Sequence, residues 1–124
     1  MRCLVSSICF VFFVLNCFSQ ESIKFDLLKQ DLGDVREGEV KQVVFPFQNI
    51  SVDSVKVANV VPQCGCTVAH YEDQMLLPQG KSEIVLLFDT KDKLGLQRKT
   101  ISLVLEHGER YVLVISANVL PSLN

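Results

Sequence analysis

A chain of 124 residues has room for one domain, and no second one is expected within it. Its 12 basic and 14 acidic residues give a formal charge of −2, and the basic ones other than Arg2 are scattered from Lys24 to Arg110. That dispersion excludes a nucleic-acid footprint, which needs clustered positive charge.

The first residues read as an export signal. Arg2 precedes an apolar run from Ile8 to Leu15, and small residues follow at Cys17 and Ser19. This predicts a signal peptide over 1–19, cleavage between Ser19 and Gln20, and a single domain over 20–124 in the periplasm or outside the cell. A membrane anchor is a poorer reading, because the stretch from Leu4 to Leu15 is interrupted by Ser6 and Ser7 and stops at Asn16. A span needs about 18–20 apolar residues, and no later run reaches that length. The remaining alternative is a lipoprotein anchored at Cys17, for which Asn16 is an unfavourable preceding residue. Cleavage would remove Cys3, Cys9 and Cys17, leaving Cys64 and Cys66, too few for a disulfide scaffold.

Beyond the signal no window carries helical spacing, whereas period two and β-branched runs recur. A strand is predicted over Ile23–Leu28, followed by a turn-rich connection from Asp31 to Gly38. From Val40 to Asn49 the alternation puts Val43, Phe45 and Phe47 on one face. Pro46 cannot donate to a ladder, which predicts an edge strand or a bulge there. Further strands are expected over Val55–Val61, Thr67–Tyr71 and Ile84–Phe88, the last two separated by Pro78-Gln79-Gly80 turn chemistry. Thr100–Glu106 and Tyr111–Val119 form a terminal hairpin closed at His107-Gly108. About seven short strands without room for crossover helices predict an all-β, immunoglobulin-like antiparallel β-sandwich. Val43, Phe45, Phe47, Leu86, Phe88, Leu103 and Leu113 are its expected inward residues.

One constellation carries chemistry. Cys64 and Cys66 flank a single glycine just past a strand end, and three readings remain open. Cα atoms at i and i+2 fit the roughly 4.4–6.8 Å span of a disulfide. The loop is so small that chain entropy contributes only about 1.6 kcal/mol. Thiol–disulfide exchange is the second reading, although no helix N-terminus or neighbouring cation is evident and the nearest basic residue is Lys56. Metal is the third: Cys64 and Cys66 joined by His70 and Met75 would be a soft set suited to copper as Cu(I). His107 lies in the hairpin turn, and Glu72-Asp73 and Glu37 with Glu39 sit in turn-rich segments as solvated surface. No nucleophile elbow and no phosphate-cradling glycine loop is present.

The run Phe45-Pro46-Phe47-Gln48-Asn49, the valine-rich strand into Cys64-Gly65-Cys66-Thr67, Pro78-Gln79-Gly80, Val85 to Phe88-Asp89 and Gly95 together resemble the exported bacterial family called domain of unknown function 1573. The resemblance covers about Lys24 to Val119. It implies an immunoglobulin-like sandwich akin to domains of ciliary and centrosomal proteins, a cell-envelope setting, and no known reaction. Gln63, Ala117 and Glu106-His107 depart from the usual residues at their positions, outside the Cys-Gly-Cys-Thr segment. The expected function is a binding or assembly module for a protein or other envelope component, without cofactor. The alternative is a periplasmic thiol protein that binds copper or exchanges disulfides.

Overall fold

The computed structural model describes residues 20–123, which form eight strands and, among the described residues, no helix. They are β1 (Ile23–Phe25), β2 (Lys29–Arg36), β3 (Val40–Asn49), β4 (Val57–Pro62), β5 (Thr67–His70), β6 (Lys81–Asp89), β7 (Gly95–Leu105) and β8 (Arg110–Leu120). One four-stranded sheet has the order β1-β3-β6-β5 and the other β2-β8-β7-β4. Every pairing is antiparallel except β2 with β8, which is parallel.

The two sheets face each other across a core whose pattern follows from the alternation of each strand. Val43, Phe45 and Phe47 from β3, Leu86 and Phe88 from β6, Leu103 from β7 and Leu113 from β8 are all buried, as the period-two pattern predicts. Phe25 stacks obliquely on Phe47 within its own sheet at 5.2 Å and reaches Tyr111 of the opposite sheet at 5.7 Å. Such contacts fill the space between layers about 10 Å apart.

Two expectations are corrected. The segment from Asp31 to Gly38 is not merely a connection, because Lys29–Arg36 is the eighth strand, β2. It lies at a sheet edge and buries only Val35 fully, so its polar residues mimic turn composition. Its register also slips between Asp31 and Asp34, where Gly33 takes φ +68°, a left-handed value that glycine adopts without a Cβ clash.

The second correction concerns Pro46, since β3 is an interior strand paired with β6 in unbroken register from Val40 to Gln48. On its other side β1 ends at the Phe25–Phe47 pair, and the Asp26 N–H donates to the Pro46 carbonyl at 3.2 Å. A strand residue's nitrogen and carbonyl point the same way, so the proline nitrogen faces the place where β1 has stopped. The missing donor therefore costs no ladder bond. Just beyond, the Gln30 side-chain amide donates to the Val44 carbonyl at 2.6 Å and covers part of the edge that β1 leaves open.

Asn49 closes the end of β3. It is completely buried; its Nδ2 donates to the carbonyls of Asp53 (2.8 Å) and Leu76 (3.0 Å), and its Oδ1 accepts from the N–H (2.9 Å) and hydroxyl (2.8 Å) of Ser51. Its backbone N–H and carbonyl pair with Gly80 and Gln79, each at 2.9 Å. Gly80 must be glycine there, because a Cβ would meet the Leu77 carbonyl and the Leu76 side chain at 2.8 Å.

Phe45→Ala should destabilise the fold by about 3–5 kcal/mol, measured by urea unfolding, because a fully enclosed aromatic leaves a cavity. Asn49→Ala should cost on the order of 3 kcal/mol in the same assay, since it strips partners from several enclosed backbone groups at once.

Candidate functional site

The Cys-Gly-Cys turn links β4 of one sheet to β5 of the other. Cys64 and Cys66 are joined in a disulfide with their Cα atoms 5.3 Å apart. Both are half-buried and Gly65 between them is exposed. The Cys66 N–H donates to Cys64 Sγ at 3.1 Å, and the buried Thr67 hydroxyl donates to Cys66 Sγ at 3.8 Å. Gln63 ties the approach to β7: its N–H donates to the Thr100 carbonyl (2.9 Å), and its side-chain oxygen accepts from the Thr100 N–H (3.2 Å) and hydroxyl (3.1 Å).

The other residues considered for this site are elsewhere. His70 is exposed at the far end of β5, about 10 Å of extended chain beyond Thr67, so the structure does not bring it to the sulfurs. Met75 lines a cavity of about 50 Å³ with Phe47, Val55, Val57 and Leu76, which neither cysteine reaches. Among the described residues no three His, Cys, Asp or Glu side chains converge as a metal site. Gln20 is exposed at the start of the described chain, while Ser19, Cys17 and the expected signal segment lie outside the described residues.

A second cluster carries no sequence signal, because Ser22 and Ile23 are 85 to 88 residues from the hairpin residues they meet. Glu109, at the β7–β8 turn, accepts hydrogen bonds from the Ser22 N–H (2.9 Å) and hydroxyl (2.6 Å), from His107 Nε2 (2.7 Å) and from the Tyr111 hydroxyl. The Tyr111 oxygen also accepts from the Ile23 N–H at 3.3 Å. Burial pushes the Glu109 carboxyl up, but the bonds from Ser22, Tyr111 and His107 outweigh it and hold the pKa at about 2. Burial, then the bond to Glu109, pushes the Tyr111 phenol above its ordinary value.

Serine, histidine and glutamate meet here, yet they are not wired for nucleophilic catalysis. A working triad uses one imidazole nitrogen for the serine and the other for the acid. In this cluster Nε2 of His107 faces both Ser22 Oγ, at 3.3 Å, and Glu109, while Ser22 gives its proton directly to Glu109. The arrangement is a clasp that fastens the start of β1 in one sheet to the β7–β8 hairpin of the other.

The architecture is that of an immunoglobulin-like or PapD-like β-sandwich. A structure of a protein of unknown function from Porphyromonas gingivalis W83 superposes with a TM-score of 0.68 at 12% identity, covering 83% of this chain and 51% of that one. The ASH / PapD-like domain 7 of human CEP192 gives 0.67 at 9% identity, covering 82% and 87%. The VesB protease of Vibrio cholerae gives 0.67 at 11% identity, covering 78% of this chain but 32% of the protease. This chain thus spans about half of the Porphyromonas protein and a third of the protease. Residues 23–119 match the family described as protein of unknown function DUF1573, and the chain belongs to that family. No curated protein matches it.

A carboxyl held low by the fold contributes stability above its ordinary 4.5 and loses it as pH falls toward 2. Glu109→Gln should therefore lower stability at pH 7 by on the order of 2 kcal/mol and flatten the loss of stability between pH 4.5 and pH 2. Urea unfolding across that range checks both effects.

Proposed function

We propose that this chain is an exported cell-envelope binding or assembly module that docks a partner protein through the outer face of the β2-β8-β7-β4 sheet. The observation that carries this reading is a row across three strands. Val61 of β4, Ser102 of β7 and Val112 of β8 are register partners on the outer face, and Val61 and Val112 are 48% and 53% exposed. Val104 lies beside that row and is half-buried, while Val114, paired with Thr100, is buried. A solvated antiparallel face ordinarily carries polar residues. Here the centre is uncharged and β-branched, while Lys29, Asp31, Arg98 and Arg110 stand toward its margins. An apolar centre inside a polar rim is the anatomy of a protein-binding surface.

Two further facts support a module. The polar side chains that converge elsewhere are occupied in fastening one sheet to the other. The same sandwich also recurs as a fraction of longer, dissimilar chains: 32% of a protease, 45% of S-layer protein domains and 31% of a sialic-acid-binding adhesin region. One fold beside such different activities is a scaffold for sites, not a source of one reaction. Export rests on the apolar segment before Gln20.

A photo-crosslinking residue at position 112, in cells expressing the full chain, should give a discrete protein adduct that Val61→Lys abolishes without lowering the melting temperature. N-terminal sequencing of the same material should begin near Gln20. An adduct that persists in Val61→Lys, or none at all, overturns the docking face. A lipid-modified start at Cys17 would keep the module but tether it to a membrane.

A further inference from the structure

The turn that carries Cys64 and Cys66 is held in place without its covalent bridge. Besides the three bonds between Gln63 and Thr100, the Thr67 N–H donates to the Cys64 carbonyl at 3.2 Å and the Asp89 N–H to the Cys66 carbonyl at 2.8 Å. Thr100 belongs to β7, Asp89 ends β6 and Thr67 begins β5, and none of these bonds depends on the sulfurs. Opening the bridge therefore leaves the two thiols facing each other on the same backbone. Closing so short a loop adds little chain entropy, so the fold has little to lose by the opening.

The sulfurs themselves are unequal. Cys64 Sγ accepts a backbone N–H at 3.1 Å, whereas Cys66 Sγ has the Thr67 hydroxyl at 3.8 Å. A hydrogen bond to the charged form favours that form, so negative charge settles on Cys64 more readily than on Cys66. Gly65 is exposed and puts no side chain beside the bridge, while Cys66, half-buried, packs against the edge of the core.

We propose that Cys64–Cys66 is a thiol–disulfide exchange site for a dithiol on another protein, in which Cys66 Sγ is the atom attacked and Cys64 Sγ the leaving thiolate. The partner's thiolate bonds to Cys66 Sγ as the Cys64–Cys66 bond breaks, and the electron pair moves to Cys64, where the Cys66 N–H receives it. The partner's second thiol, deprotonated, then displaces Cys66. The partner departs as a disulfide, oxidised by two electrons, and Cys64 and Cys66 take up the two protons as thiols. The reverse sequence, with a partner disulfide, restores the bridge through the same atoms. This chemistry is independent of the docking face, because Val61 and Val112 take no part in it.

The test uses reduced glutathione and iodoacetamide on the purified protein. With excess glutathione and acid quenching, peptide mass analysis should show the bridge opening through an adduct carried mainly on Cys66. Once reduced, the protein should keep its β circular dichroism, and iodoacetamide at neutral pH should label Cys64 several-fold faster than Cys66. Cys66→Ser retains the backbone N–H and should keep a fast thiol at Cys64, while Cys64→Ser should leave a slow one at Cys66. A bridge that survives the glutathione, an adduct mainly on Cys64, equal labelling of the two thiols, or loss of β structure on reduction would each overturn the assignment.

Discussion

The buried amide of Asn49 fixes where the chain can leave one sheet for the other. Hydrophobic burial drives the two layers together but is non-directional, so it does not choose among ways of threading the connections. Asn49 does choose: one side chain holds the Asp53 carbonyl, the Ser51 N–H and the Leu76 carbonyl together. Ser51 and Asp53 lie on the way from β3 to β4, and Leu76 on the way from β5 to β6. One crossing between sheets and one connection within a sheet are thus set by four hydrogen bonds in an enclosed site, where a lost partner costs most. Other corners use the same device. The buried Thr90 hydroxyl donates toward the carbonyls of Glu39 (2.6 Å) and Arg36 (3.2 Å), and Glu109 gathers the chain start onto the last hairpin.

What the sequence discloses follows from the range of each signal. The strands with strict alternation, such as β3 and β6, are legible because burial on one face writes itself at period two. The inward set from Val43 to Leu113 follows from that pattern alone. β2 is illegible because an edge strand with one fully buried side chain and a bulge has no period to display, and its parallel partner lies some 85 residues away. The placement of β3 between two neighbours is hidden for a related reason. Pro46 excludes a ladder bond on one side only at its own position, and composition does not reveal that β1 ends there.

The candidate site divides along the same line. The proximity of Cys64 and Cys66 is local and visible at a glance, and so is the turn that Gly65 permits. The asymmetry between the sulfurs is not, because it depends on which backbone N–H points at which atom. His70 and Met75 looked like companions of the pair by residue type, but an extended β5 carries His70 away from the turn at about 3.3 Å per residue. Met75 follows the chain to the Val55–Leu76 bridge, where it lines a small cavity and stays exposed. The Glu109 clasp has no local trace, since Ser22 is an ordinary polar residue until the fold brings it beneath the hairpin.

These constraints bear on why a sandwich of this kind carries a disulfide at all. A small domain with a thin core uses disulfides as staples, and the useful ones close long loops. This bridge closes the shortest loop that a glycine spacer allows, in a turn already fixed by Gln63, Thr67 and Asp89. The core is continuous from Ile23 to Val119, and the corners are tied by Asn49, Thr90 and Glu109. A covalent bond that the fold does not need is free to be made and broken. Its half-buried position between a backbone donor and a buried hydroxyl is where reversible sulfur chemistry leaves the surrounding strands undisturbed.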